Sequence, residues 1–410
     1  MTPNPWITAI IVTITFAGIA VGRYPIIKSN RTTISLMGVA MLILFGQIRF
    51  DAIPNYLDFN TLILLFSMMI INANLKLAGF FAYAGQVLVR YAKTPRVLLA
   101  VEIGLAGILS ALFLNDTICL MFTPLVISLT DSLKRNPLPY LIGLATAANV
   151  GSTATLTGNP QNMIVGIASG IRYLDFTLAL LPVAVLGLAV IWLVLIWIYP
   201  HEFRRERLAV VEQAADEPIT RPLLIKTLVI TAGLLVAFLT GAPIAMASFI
   251  AASILLVTRR HQPQTVFAEF DWSLLVFFSG LFIVSGSLET SGVTTSLMDL
   301  NALGQRATVW NLSAVSAVLS NLVSNVPAVL LLRPVVSSMT DQTAGWLTLA
   351  ASSTLAGNLT LLGSVANLIV AESASHWRVV ISFWEYTRAG IIITLVTLLM
   401  AAGWLSLGLY

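Results

Sequence analysis

Apolar residues run along this chain in long blocks. They show neither the two-residue alternation of a membrane strand nor the single stripe of a soluble amphipathic helix. The blocks at 174–198 (LDFTLALLPVAVLGLAVIWLVLIWI) and 386–408 each match or exceed the roughly 20 residues that cross a bilayer as a helix. In lipid the backbone must satisfy its own hydrogen bonds, so the blocks are predicted to be helices. The run at 6–22 has no basic region before it and no A-x-A pattern after it, and it reads as a first span rather than a cleaved signal. One break stands out. Residues 151–162 read GSTATLTGNPQN, with LIGLATAANV before and MIVGIA after. Gly permits an unwound backbone and Pro removes a donor, so this stretch predicts a helix interrupted inside the membrane.

Composition agrees with a membrane protein. Of 410 residues, 58% are hydrophobic and only 10% charged, against roughly a quarter charged in soluble domains. The lone Cys119 excludes an internal disulfide and a cysteine-cluster metal site, and the three His have no metal-ligand spacing. No GxxxxGK[ST] occurs, so ATP hydrolysis within this chain is unsupported. No Ser-His, His-Glu-x-x-His or paired-Asp pattern supports an enzyme. The net charge of +4 calls for no nucleic acid, because basic loops account for it.

Those loops suggest an orientation. Arg23, Lys28 and Arg31; Arg90, Lys93 and Arg96; Lys134 and Arg135; Arg204, Arg205, Arg207, Arg221 and Lys226; Arg259 and Arg260; and Arg378 and Arg388 form the rich clusters. For all of them to be cytoplasmic, 97–130 must enter and leave on one side as a re-entrant hairpin, and 308–340 must do the same from the other face. The expected fold is all-α and polytopic, with ten transmembrane helices plus two hairpins and both termini outside the cytoplasm.

An internal repeat underlies this count. LFLNDTICLMFTPLVI (112–127) matches LVSNVPAVLLLRPVVS (322–337), pairing Asn115 with Asn325 and Pro124 with Pro334. TLTGNPQNMIVG (155–166) matches TLLGSVANLIVA (360–371), pairing Thr155 with Thr360, Gly158 with Gly363 and Asn162 with Asn367. Five spans and a hairpin per half insert the halves in opposite senses, the pattern of secondary transporters. The first repeat is read as 1–199, with scaffold spans at 6–48, the hairpin 97–130 and a broken helix 138–170. Residues 200–222 are a mixed-charge cytoplasmic linker. The second repeat is 223–410, with the hairpin 308–340 and a broken helix 344–371.

Two breaks and two hairpin tips should meet at one central site. Unwound backbone is tolerated at that depth only where it lines a polar cavity. Asp116, in LFLNDTICLMF, is costly there unless protonated, paired or cation-bound, and so is a functional candidate. Its repeat partner is Val326. Arg333 is expected to snorkel outward from the second hairpin. Glu102 is read as facing the interface, with a proton path as the alternative. Glu289 and Glu372 should be solvated at span ends, and Cys119 is an apolar filler with soft-metalloid contact as the alternative.

These motifs resemble the ion transporter superfamily, and most nearly its arsenite and silicic acid efflux branch. The resemblance rests on Asn115-Asp116 followed by Thr123-Pro124, on AGNLTLLGSVANLIVAE (356–372) and on the more widely shared TGNPQNMIVG (157–166). The dicarboxylate branch carries Ser-Asn-Thr at both tips, whereas here the tips are Leu114-Asn115-Asp116 and Ser324-Asn325-Val326. A carboxylate in place of a sodium-binding hydroxyl favours proton coupling. The resemblance implies an elevator mechanism in the inner (plasma) membrane, with a small anion or oxyacid such as arsenite exported. It implies no cofactor beyond the coupling ion, a proton or else sodium. Homodimers, and for some arsenite pumps a separate ATPase subunit, come with it as open partners. Asp116 is expected to carry the proton. Asn115, Thr117, Ser324, Asn325 and the breaks at Gly158-Asn159 and Gly363-Ser364 are expected to form the solute site, with Ser152, Thr153, Asn162, Asn358, Thr360 and Asn367 in support. A sodium-coupled anion importer, a sodium/proton antiporter and a passive channel are the rival readings.

Overall fold

A computed structural model describes residues 4–21, 30–91, 93–204, 208, 219–257, 262–292 and 304–409. Arg23, Lys28, Arg205, Arg207, Arg259, Arg260 and most of the 200–222 linker lie outside the described residues. All the regular structure described is helical. In the first half the helices are α1 (Pro5–Val21), α2 (Arg31–Leu44), α3 (Phe59–Leu77), α4 (Phe80–Tyr91), α5 (Pro95–Leu112), α6 (Asn115–Ser132), α7 (Pro137–Ser152), α8 (Pro160–Ser169) and α9 (Tyr173–Ile198). A 3-10 turn, Phe50–Tyr56, precedes α3. In the second half they are α10 (Arg221–Leu239), α11 (Ile244–Leu256), α12 (Pro263–Ala268), α13 (Trp272–Thr290), α14 (Val309–Val323), α15 (Asn325–Ser337), α16 (Gln342–Ala356), α17 (Val365–His376) and α18 (Phe383–Ser406). By length and apolar character α3, α5, α9, α10, α13 and α18 can cross a membrane among the described residues.

Sequence signals set the boundaries. Thr94 and Asn136 cap α5 and α7, each with Pro in the first helical turn. The first break is Thr153–Asn159. Asn159 then restarts the chain as α8, its side chain accepting from Asn162 N at 2.8 Å, with Pro160 next. Gly170, in the left-handed region at φ 66°, ends α8. The second hairpin turns at Ser324, whose φ of 76° and ψ of 162° suit glycine rather than serine. Its counterpart Leu114 is extended at φ −63°.

Burial separates two kinds of helix. α7 and α16 are buried on every side, whereas α9, α10 and α18 expose Leu186, Trp197, Val229 and Leu399 as lipid-facing helices do. Close contact at the centre depends on missing side chains. A Cβ on Gly151 would stand 2.2 Å from Gly107 O, so α5 and α7 touch backbone to backbone.

Packing is reciprocal between the halves. α6 lies on α17 and α15 on α8; α8 lies on α16 and α17 on α7; α3 packs on α11 and α13 on α2. Several helix ends gather at one face. Arg96 Nε donates to Phe203 O at 2.8 Å, Trp192 Nε1 to Arg96 O at 3.0 Å and Asn136 N to Glu202 Oε2 at 3.4 Å. Tyr199 OH donates to Glu385 Oε1 at 2.7 Å, which brings the start of α18 there. At the far end of α9, Trp404 Nε1 donates to Ala179 O at 2.8 Å. A Cβ on Gly390 would stand 2.3 Å from Asn358 O, so the start of α18 lies beside the end of α16.

Candidate substrate and coupling site

At the centre lies a knot of amides. Each half contributes the same clamp. Asn162 Nδ2 donates to Ser152 O at 3.1 Å and Thr155 O at 2.9 Å. Asn367 Nδ2 donates to Gly357 O at 2.7 Å and Thr360 O at 3.1 Å. A helix break frees carbonyls that must find donors away from water, and one asparagine per break supplies them. Unwound backbone is thereby held in a fixed shape inside the protein.

The two clamps are tied together by Asn149 on α7. Its Nδ2 donates to Asn358 Oδ1 at 2.9 Å and to Asn367 Oδ1 at 3.0 Å. Its Oδ1 accepts from Asn115 Nδ2 and from Ser364 Oγ, both at 3.1 Å. Asn115 N also donates to Gly158 O at 3.0 Å, so the first tip is bonded to the first break through its own backbone. Thr354 stands 205 positions after Asn149 and receives Asn159 Nδ2 at 3.4 Å and Gln161 Nε2 at 3.2 Å. Turned so that its nitrogen faces carbonyls, the Asn325 amide donates to Gly363 O at 3.3 Å and Ser353 O at 3.0 Å and accepts from Gln161 Nε2 at 3.2 Å. Asn159 Nδ2 bonds Ser152 Oγ at 2.9 Å, and Thr153 Oγ1 donates to Asn149 O at 3.2 Å. A Cβ at Gly158 would stand 2.5 Å from Ser152 O and 2.8 Å from Ser110 O, while one at Gly363 would stand 2.8 Å from Gly357 O and 2.9 Å from Asn321 Oδ1. Both positions need glycine for that closeness.

The structure thus brings Asn115, Ser152, Thr153, Gly158, Asn159, Asn162, Asn325, Asn358, Thr360, Gly363, Ser364 and Asn367 into one buried network. Thr117 and Asp116 stand at its edge. Thr117 Oγ1 accepts from Asn72 Nδ2 of α3 at 3.1 Å. The charged groups that act on the Asp116 carboxylate are Arg31 and Asp271, at the starts of α2 and α13. Thr32 Oγ1 donates to Ser273 O at 3.1 Å and keeps those two helix starts together. Ser324 contributes its strained backbone. Its hydroxyl takes no part in the bonds above.

One expectation changes. Glu102 is 1% exposed and both its carboxyl oxygens lack a partner, so it does not face the interface. Its helix packs on α7, α4, α9 and α6, and Glu102 lies on the buried face. Asp116 lies within electrostatic reach of a cation, Arg31, that is distant in the chain. Arg333, partly buried, lines a pocket of about 530 Å³ together with Asp58 and Glu289, at the start of α3 and the end of α13.

Sequence reasoning passed over Asn149, Thr354, Gln161 and Asn72. Asn149 carried a signal, an amide within the apolar run LATAANV, and its counterpart Thr354 is polar as well. Asn72 had none, because only packing of α3 against α6 gives it a role.

Comparison with known proteins places the chain. A family model described as citrate transporter matches residues 24–356. The chain belongs to the CitMHS citrate transporter family. It is therefore a multi-pass membrane transporter and not an enzyme. Among relatives of this transporter, the silicon efflux transporter LSI3 of Oryza sativa subsp. japonica is 31% identical, with 91% of each chain covered. The 46 kDa membrane protein of Mycobacterium leprae is 30% identical, with 96% of each covered. The putative transporter arsB of Dictyostelium discoideum is 24% identical over 97% of this chain and 91% of its own. These relatives fit the arsenite and silicic acid branch. In fold, the transporter is similar to the crystal structure of the Alcanivorax borkumensis YdaH transporter. The TM-score is 0.61 at 15% identity, over 99% of this chain and 98% of that one.

Proposed function

We propose that this transporter exports a small neutral oxyacid, of the arsenous or silicic acid type, in exchange for protons. The carrying observation is an imbalance in the amide knot. Its NH₂ groups are already donating, while buried acceptors remain open at Asn115 Oδ1, Asn162 Oδ1, Asn72 Oδ1 and Asn321 Oδ1. Unpaired buried acceptors favour a ligand that brings donors. A neutral oxyacid offers hydroxyls, whereas a fully ionised anion offers none. A relative named as a silicon efflux transporter supports the same choice.

Asp116 lies beside this knot, at the first tip, within electrostatic reach of the Arg31 cation and the Asp271 carboxylate. We assign it the coupling proton. In one state the neutral acid would accompany the empty knot on its inward return. In the other, the carboxylate, balanced by Arg31 of α2, would accompany the loaded knot outward.

We propose an elevator built on an inverted repeat of ten spans and two hairpins, with halves at 1–199 and 223–410. The reciprocal packing supports it. So does the placement of helix ends: the open end of the first hairpin lies with the end of α9, whereas the second hairpin closes onto the start of α16 through Gln342 Nε2 and Ser337 O at 2.8 Å. α16 runs opposite to α18, whose end lies beside the start of α9. The first hairpin and α7–α8 with their counterparts would move. α1, α2, α10 and α11 would stay.

Proteoliposomes loaded with arsenous or silicic acid test this. An imposed pH gradient should drive uphill flux in wild type, and Asp116→Asn should abolish the gradient dependence. Full gradient-driven flux in that variant removes the proton role. The same open oxygens are hard-ion ligands and could hold sodium. Flux that follows a sodium gradient and ignores pH would support the sodium reading, and downhill flux alone would mean a channel.

A further inference from the structure

Glu102 has no part in the site above, yet it is the most deeply buried carboxyl among the described residues. Its side chain is 1% exposed, and neither oxygen has a hydrogen-bond partner. The helix surface around it is aliphatic. On either side of Glu102 in α5, Leu99 and Ile103 close on Gly143 of α7 together with Leu195 of α9, at 3.2, 3.7 and 3.3 Å from where a Gly143 Cβ would be. An ionised carboxyl is costly in such surroundings while it lacks a partner, so in this unpartnered state the group holds a proton. A neutral acid serving only to fill space would still forfeit about 1–3 kcal/mol for its unmade hydrogen bonds. Leucine would fill the space without that cost.

One polar path leads out. Tyr140 on α7 is fully buried, and its phenol lies within electrostatic reach of both Glu102 and Glu202. Tyr140 OH donates to Glu202 Oε1 at 3.2 Å. Glu202 sits at the face where α5 and α7 begin, its other oxygen accepting from Asn136 N at 3.4 Å. Arg135 adds a positive charge near the phenol. On the other elements packed against α5, the titratable groups are Tyr83, Arg90 and Tyr91 of α4, Asp116, Cys119 and Asp131 of α6 and Tyr173 and Asp175 of α9; α5 itself also carries Arg96. None of these acts on the Glu102 carboxyl. The end of α5 lies roughly 15 Å beyond Glu102, at a rise of about 1.5 Å per residue, and Asp116 follows it at the start of α6, so the two acids are separate stations.

We propose that Glu102 is a second proton-binding site, loaded and emptied from the α5–α7 face through Tyr140 and Glu202. In release, the Glu102 carboxyl, unpartnered in this state, turns onto the Tyr140 hydroxyl; its proton passes to the Tyr140 oxygen while the phenolic proton passes to Glu202, and the carboxylate left behind accepts a hydrogen bond from the phenol. The phenol is left neutral, and one proton has moved from the buried acid to the surface acid. Uptake reverses these steps. The site does not depend on which solute is carried or on Asp116.

Infrared difference spectroscopy of the full chain in lipid nanodiscs, between acid and alkaline buffer, tests this without any transported solute. Wild type should show a protonated-carboxyl C=O stretch that disappears at alkaline pH and shifts in D₂O. That band should be missing in Glu102→Gln and retained in Asp116→Asn. In Tyr140→Phe, which keeps the ring packed on Phe203, the band should remain but its exchange in D₂O should slow by about a hundredfold, the lower end of what a positioned relay contributes. A band unchanged in Glu102→Gln overturns the proposal. So does a Glu102 band that never titrates or exchanges, and so does one that exchanges equally fast in Tyr140→Phe. If Glu102→Gln does not fold, the wild-type titration and the Tyr140→Phe exchange still decide.

Discussion

At the scale of single residues, asparagine does the work that water does elsewhere. Asn149 bonds to Asn115, Asn358, Ser364 and Asn367, which come from three other helices or breaks. Leucine there would have nearly the right volume but would leave at least two donors and two acceptors buried without partners. At about 1–3 kcal/mol each, the loss would be several kcal/mol. Asn149→Leu should therefore lower the thermal midpoint strongly and abolish transport, as a fluorescence-detected melting curve and a flux assay would show. A variant with wild-type melting would mean that the knot is not structural. Ser324 carries a different burden. Its positive φ marks the second tip as strained where the first is relaxed, so the tips differ in backbone as well as in charge.

At the scale of elements, helices break where they must and touch where glycine lets them. α7 and α8, at about 24 and 15 Å, fall short of the roughly 30 Å hydrocarbon core separately and span it together with their break. The α5–α7 contact passes through Gly107 and Gly151. In the second half the matching positions are Ala317 and Ala356, whose carbonyls both accept from Asn321 Nδ2, at 3.0 and 2.9 Å. One half uses bare backbone contact and the other an amide bridge. Gly151→Ala would drive a methyl group into Gly107 backbone, which cannot swing aside, and should cost about 1–3 kcal/mol or more. Gly104→Ala on the same helix, where a Cβ meets nothing within 4 Å, should be nearly neutral. Melting temperatures of the two variants in one detergent would check the contrast, and equal values would count against backbone contact.

At the scale of the whole molecule, the proposed inverted arrangement has a direct consequence. The turn after α6 and the turn after α15 should open on opposite sides of the membrane. In a Cys119→Ser background, single cysteines at Ser132 and Thr340, both exposed, should react with a membrane-impermeant maleimide from opposite sides of oriented vesicles. Labelling of both from one side would remove the inverted repeat and with it the elevator. The native Cys119 is fully buried and should not interfere even where retained.

Much of this was legible in the chain alone. Apolar block length required helices, because lipid offers the backbone no other partner. Repeated Asn, Gly and Pro at fixed offsets marked the breaks and tips, because only those residue types unwind a helix and then satisfy what unwinding exposes. Tertiary structure alone decided which groups meet. Asn149 is one amide in an apolar run until α7 is wedged between two breaks. Arg31 lies 85 positions from Asp116 and acts on it only because α2 and α13 bring their starts to the first tip. Glu102 read as an interface residue in the first hairpin, and packing against α7 and α9 buried it. Sequence period reports which element a residue belongs to; its electrostatic surroundings depend on elements far away in the chain, and those are set only when the helices pack.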